Sequence, residues 1–182
     1  MPERLLLKVW TTLKLCWWSW CFRRHCALVG TGLSILGPCI VSVAGRFAVG
    51  NDLTIRSRGY NPVEISVGPK AKLEFGDNVF LNQGVRIACT SEVTIGNNVL
   101  LGDETVILDT DYHGAAGAPA KAAPVRIETD VWLGTRVIVL RGVTIGQGSV
   151  VGAGAVVTRS IPPFVFAAGV PARVVRSLPH HA

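Results

Sequence analysis

Apolar residues recur in sixes along most of this chain. From Ile95 the hexads run Ile95–Leu100 and Leu101–Val106. After an interruption they resume as Leu133–Ile138, Val139–Thr144, Ile145–Val150 and Val151–Val156. An aliphatic residue opens each hexad, glycine usually follows it, and a small or β-branched residue sits four places after the first. A period of six is neither the 3.6 of a helix nor the 2 of a half-buried strand. It suits a short strand followed by a corner, stacked on copies of itself, with the opening aliphatic residue turned inward. The second residue is expected to need a backbone angle that glycine or asparagine tolerates. The small residue fits where the interior narrows, and valine and isoleucine suit the strands. A β-sandwich would show alternation by two and hairpin turns instead.

Upstream the register persists with two-residue slips. Phe75–Phe80, Leu81–Arg86, Ile87–Glu92, Val67–Lys72 and Val49–Thr54 fit, and Val43–Ala48 fits less well. The pattern predicts an all-β stack with a helical extension over residues 1–40, the repeat domain over 41–168 and a tail over 169–182. The extension differs in character. Four of the five tryptophans fall there, and Leu6, Val9, Leu13, Trp17 and Trp20 make one helical stripe. Lys8 and Lys14 interrupt any spanning run, and Gly30, Gly32, Gly37 and Pro38 argue against a helix further on. Two readings stay open: a helix capping the end of the stack or packing on a neighbouring subunit, or an interfacial helix over residues 1–24 with Arg23 and Arg24 on lipid phosphate.

Charged residues make up only 16% of the chain and hydrophobic residues 49%, so a core is easily built. The formal net charge of +6 comes without an aromatic-basic nucleic-acid motif. It suits a polyanionic ligand or an anionic membrane surface. Cys16, Cys21, Cys26, Cys39 and Cys89 show no metal or redox spacing and read as free thiols of a reducing cytoplasm.

The repeat breaks after Ile107–His113. The stretch Gly114–Pro124 does not continue a coil and reads as a loop thrown out of the stack, where function concentrates. His113 stands at its base and is the one histidine within the repeat; His25, His180 and His181 lie near the termini. An imidazole there is a candidate general base. Three readings of its surroundings stay open: Asp109 or Asp111 orients it, a backbone carbonyl does, or both carboxylates are simply solvated. Trp132 reads as a face residue supporting the loop.

These hexads, with the closing run Val156–Pro163 and Ala167–Arg173, resemble the hexapeptide-repeat acyltransferases over about residues 63–176. The likeness is to the sugar O-acetyltransferase branch, which includes maltose and galactoside acetyltransferases and those of surface-polysaccharide clusters. The resemblance implies a left-handed parallel β-helix with three hexads per turn. It implies direct acetyl transfer from acetyl-CoA to a sugar or glycan hydroxyl, with no metal and no acyl-enzyme, in a homotrimer whose clefts lie between subunits. By the same resemblance His113 is the catalytic base, and Asn82 and Asp111 serve the acceptor. Thr135, Ala153, Thr158 and Arg159 line the coenzyme A groove, and Arg173 and Arg176 meet its phosphates, which arginine binds in bidentate fashion. The N-terminal acceptor region of the maltose and galactoside enzymes has no clear counterpart here.

Two other readings compete: an N-acyltransferase acting on an amino-sugar or antibiotic, and a structural β-helix without catalysis. A zinc carbonic anhydrase of the same architecture needs three histidine ligands, and the repeat holds one.

Overall fold

The computed structural model describes residues 15–114 and 117–179. Leu6, Val9 and Leu13 of the expected stripe, and His180 and His181, lie outside them. The chain winds as a left-handed parallel β-helix. Sheet 1 holds strands Leu28–Val29, Arg46–Val49, Lys72–Phe75, Glu92–Ile95, Val125–Ile127 and Thr144–Ile145. Sheet 2 holds Ser34–Leu36, Thr54–Arg56, Phe80–Leu81, Leu100–Leu101, Trp132–Leu133 and Val150–Val151, then Val165–Gly169 and Ala172–Ser177. Sheet 3 holds Cys39–Val43, Val63–Val67, Arg86–Cys89, Val106–Leu108, Ile138–Val139 and Val156–Val157. Each coil contributes one strand to each sheet in turn, so the molecule has three faces and three corners.

The hexad positions have distinct physical duties. The opening residues Ile95, Leu101, Leu133, Ile145 and Val151 are buried, and so are the fifth residues Val99, Thr105, Val137, Ser149 and Ala155. Register stacks like on like: Leu81 pairs with Leu101, Leu101 with Leu133 and Leu133 with Val151. The second-position glycine has a different reason from the one expected. Its φ is not positive; the left-handed residue is the fourth, as at Asn98, Glu104, Arg136, Gly148 and Gly154. What demands glycine is the coil above. A Cβ on Gly102 would come within 2.7 Å of the Gly134 carbonyl carbon and the Thr135 nitrogen, and one on Gly134 within 2.8 Å of the Ala153 nitrogen.

Polar rungs tie the corner between sheets 1 and 2. The Asn51 N–H donates to Asp77 Oδ1 at 2.6 Å, and the Asp77 N–H donates to Asn97 Oδ1 at 2.8 Å. Beside them Asn78 Nδ2 donates to Asn98 Oδ1 at 3.0 Å, and Asn98 Nδ2 to Asp130 Oδ1 at 2.9 Å. Short amide and carboxylate side chains at the same hexad positions therefore form a ladder up the axis.

The stack begins earlier than residue 41. Leu28 and Val29 pair with Ala48 and Val49, and Ser34–Leu36 with Thr54–Arg56. This first coil was hidden because its glycines and Pro38 disrupt the hexad count. At the other end, residues 172–177 are not a tail: they fold back as an antiparallel strand on Val165–Gly169. Among the described residues, the helical part of the N-terminal extension is 15–23. Its Trp18 and Phe22 meet Ile35, Cys39 and Val41 around a small cavity at the end of the stack. The Phe22 ring lies 5.7 Å from that of Phe47, which lies 5.1 Å from that of Phe75, both edge to face. The helix thus caps the open end of the core.

Leu101 sits in the middle of the axial column with 1% exposure. Leu101→Ala should cost about 2–5 kcal/mol of stability, read as a lowered midpoint in urea unfolding with the secondary structure otherwise retained.

Candidate active site

The loop leaves the stack at the corner between sheets 3 and 1, after Leu108, and returns at Val125. Its neck is zipped. Thr110 and Ala122 form an antiparallel bridge, the Asp111 N–H donates to Lys121 O at 3.0 Å, and the Ala123 N–H to Asp109 O at 2.9 Å. Two carboxylates fasten this neck to its neighbours. Asp109, fully buried, accepts from the Thr90 N–H at 2.8 Å, the Thr90 hydroxyl at 2.9 Å and the Ser91 N–H at 2.6 Å, all in the coil below. Asp111 accepts from Arg141 Nε at 2.6 Å, in the coil above. That pair is partly exposed, and its value lies in geometry rather than stability.

His113 projects into solvent from this fastened neck. It follows Tyr112, whose φ of 57° is left-handed. Such a conformation is uncommon for a bulky side chain and persists only where surroundings impose it. Here the Tyr112 N–H is held by Thr110 Oγ1 at 3.1 Å and the His113 N–H by Asp111 O at 2.6 Å. The turn aims the imidazole outward. Neither aspartate meets the imidazole: Asp109 faces Thr90 and Ser91, and Asp111 faces Arg141. Their part is to hold the backbone that carries the ring. Arg141 escaped the sequence reading. Its signal is positional, since it occupies on the next coil the corner from which Asp111 reaches out.

Cys89 lies in the coil below, and its Sγ donates to Lys72 O at 3.2 Å. Burial, reinforced by the Asp109 charge, pushes its thiol up to about 12. Cys26 and Cys39 are likewise pushed up to about 12 by burial. At neutral pH these three thiols are not nucleophiles.

The other expected site residues fall into groups. Thr158 and Arg159 follow strand Val156–Val157 and share the loop's corner, above it. Arg159 and Arg173 line one cleft with Ser160 and Val174, of about 160 Å³. Among the described residues neither forms an ion pair. Two uncompensated guanidinium groups at one cleft suit an anionic phosphate. Arg176 lies apart, 5.6 Å above the Phe166 ring. Asn82, Thr135 and Ala153 occupy the corner between sheets 2 and 3. There Gly134 and Gly152 sit beneath the next turn of chain: a Cβ on Gly134 would meet the Ala153 nitrogen at 2.8 Å, and one on Gly152 the Phe166 ring and the Ala168 Cβ at 3.1 Å. One chain therefore does not bring Asn82 to His113; they stand at different corners. Trp132 does not support the loop. It lines a cleft of about 360 Å³ on sheet 2 with Phe80, Leu100 and Asn82.

Residues 124–159 match the profile described as the hexapeptide repeat of succinyl-transferase. Over 121 residues the chain is 38% identical to galactoside O-acetyltransferase of Escherichia coli (strain K12), covering 64% of this chain and 59% of that protein. A solved maltose O-acetyltransferase from Clostridium difficile 630 superposes with a TM-score of 0.56 at 31% identity, covering 80% of this chain and 72% of that one. The chain belongs to the hexapeptide-repeat acyltransferases. A second member, a hexapeptide-repeat acetyltransferase of Vibrio cholerae solved with acetyl-coenzyme A, superposes with a TM-score of 0.59 at 28% identity over 87% of this chain and 74% of that one. The chain spans little more than half the length of the curated relatives it matches.

Within this acyltransferase scaffold the Asp109 carboxylate is what fixes the loop to the coil below. Asp109→Ala leaves the Thr90 and Ser91 donors without their acceptor. It should cost about 1–3 kcal/mol, seen as a lowered thermal midpoint together with faster amide exchange at Thr90 and Ser91.

Proposed function

We propose that the chain is an acetyl-CoA-dependent O-acetyltransferase acting on a sugar or glycan hydroxyl. The observation that carries this reading is His113, held outward by Tyr112 on a neck fastened through Asp109 and Asp111. The identity to galactoside O-acetyltransferase and the maltose O-acetyltransferase likeness support the hydroxyl acceptor, and the acetyl-coenzyme A complex of the Vibrio cholerae relative supports the donor.

His113 acts as general base. Its neutral imidazole takes the proton of the acceptor hydroxyl as that oxygen bonds to the acetyl carbonyl carbon. The carbon–sulfur bond of the thioester then breaks, and the departing thiolate recovers the proton from the imidazolium. A transfer in one direct passage agrees with the burial of Cys89, the cysteine in the coil next to the loop, whose thiol is pushed up to about 12. Arg159 and Arg173 are the groups placed to meet the coenzyme phosphates, with Arg176 on the neighbouring face. Thr135 and Ala153 of one copy, with Thr158 on the His113 corner of the next, line the route of the pantetheine arm. Asn82 and Asp111 address the acceptor, Asp111 from within its pair with Arg141. The cytoplasm, where acetyl-CoA is made and thiols stay reduced, is the compartment this chemistry implies.

The two-corner distribution favours a homotrimer. Copies packed side by side about a three-fold axis set the His113 corner of one against the Asn82 corner of the next. Asn82 then completes a site whose base belongs to the neighbour.

His113→Ala should lower turnover by about 10²- to 10⁴-fold while coenzyme A still binds, measured by thiol release with a panel of mono- and oligosaccharides and by calorimetry with coenzyme A. Near-normal turnover would dismiss His113 as the base; release with amino-sugars alone would move the reaction to nitrogen. A second test uses two inactive variants. Denaturing and refolding His113→Ala together with Asn82→Ala in equal amounts should restore about a quarter of the wild-type activity, the share of mixed interfaces carrying both intact residues. No recovery, with the wild type refolded alongside to full activity, would overturn a site shared between neighbouring copies.

A further inference from the structure

The N-terminal end of the prism is finished in an unusual way. A helix that caps a repeat stack is expected to turn a polar face to water. Here the inward face is apolar as it should be, through Trp18 and Phe22. The outward face is also apolar. Trp17 is 62% exposed and Trp20 50%, their rings 5.5 Å apart. Arg24 stacks on Trp20 at 4.8 Å, and Arg23 is exposed beside it. Trp17, Trp20 and Arg24 recur at helical spacing on one side, so the described part of the expected stripe, Trp17 and Trp20, is turned away from the core.

The first coil continues this surface. Leu28 on sheet 1, Leu36 on sheet 2 and Ile40 on sheet 3 are all exposed. An apolar girdle therefore runs round all three faces at this one end. On sheets 1 and 3 the register shows how local it is, while sheet 2 keeps an apolar outer column further up through Phe80, Leu100 and Trp132. On sheet 1, Leu28 gives way to Ala48 and then Glu74 along the same outward column; on sheet 3, Ile40 gives way to Glu64 and Arg86. Charge is distributed just as unevenly. Residues 15–51 contain no aspartate or glutamate, while Arg23, Arg24 and Arg46 fall among them.

We infer that this end of the molecule is a docking surface for an anionic lipid bilayer, met by the outer face of the cap helix and the rim of the first coil. Tryptophan, with an apolar body and a polar edge, is suited to headgroup depth. The two adjacent guanidinium groups on the helix suit lipid phosphate, and the nearest carboxylates among the described residues, Asp52 against Gly32 and Glu64 beside Ile40, sit one coil further in. A bilayer needs only a shallow apolar cap with a basic border. The inference does not depend on the acyl chemistry.

The test is sedimentation of the intact chain with phosphatidylcholine vesicles prepared with and without phosphatidylglycerol. Trp17→Ser/Trp20→Ser and Arg23→Gln/Arg24→Gln are compared with the native sequence. Both pairs are exposed, so folding is checked by circular dichroism and by acetyl transfer to a soluble sugar, which also keeps a failure of the enzyme reading separate from a failure of this one. The expected result is binding to the phosphatidylglycerol vesicles alone. The arginine variant should lower the partition coefficient about 30-fold, and the tryptophan variant by about tenfold or more even at low salt. No binding by the intact chain, equal binding to neutral vesicles, or variants that bind like the native sequence would overturn the inference. So would a tryptophan variant whose only change is a smaller oligomer, which would make this end a contact between copies.

Discussion

Everything in this protein depends on the close approach of one coil's backbone to the next. Parallel strands in adjacent coils stand about 4.8 Å apart, and at the corners the chain turns within that spacing. Gly102 lies so close to Gly134 and Thr135, and Gly134 so close to Ala153, that no side chain fits between them. Once that contact is made, little freedom remains. The opening aliphatic residue must point inward, the fifth must be small, and the fourth must turn left-handed. A corner residue on one coil then stands directly above its counterpart on the coil below. That stacking is what allows Asp77 to reach Asn51, Asn98 to reach Asp130, and Arg141 to reach Asp111, although these pairs are far apart in sequence.

The same rigidity explains how one exposed histidine can be presented with defined geometry. A loop of this length, if free at its neck, would carry His113 through many orientations. Asp109 fastens the neck downward and Asp111 fastens it upward, so the loop is pinned to two coils that are themselves locked in register. Positioning of this kind matters to a general base, whose effect falls steeply when the proton it must take is not within hydrogen-bond reach. The left-handed Tyr112 belongs to the same device. Its cost is carried by the bonds on either side of it, and its product is the outward direction of the next side chain.

Much of this was legible in the residues alone, for a physical reason. A six-residue period records a local requirement repeated at every corner, and the buried columns from Phe75 to Val157 follow from it directly. The position of His113 at the break was equally visible. What the period could not convey was anything decided between coils. Glycine at the second position looked like a conformational requirement because the closeness of the coil above has no signature within one hexad. For Asp109 and Asp111, nearness in sequence leaves open whether they orient the imidazole or face solvent. Their real partners, Thr90, Ser91 and Arg141, are near only after the chain has wound once more. The first coil was missed because Gly30, Gly32, Gly37 and Pro38 break the count, although Leu28, Ile35 and Val41 still pair in register.

A prism with three faces also divides the work among its corners. The corner between sheets 1 and 2 is taken up by the asparagine and aspartate ladder, whose side chains are occupied with one another. The corner between sheets 3 and 1 carries the histidine and Arg159. The corner between sheets 2 and 3 carries Asn82, Thr135 and Ala153. Strands leave each corner along a flat face, so two corners of one chain cannot converge on a small molecule. In the proposed trimer, setting the His113 corner of one copy against the Asn82 corner of the next would unite groups that one chain keeps apart. The rigidity that fixes each corner is then what makes such a shared site definable, because neither group can move to meet the other within its own chain.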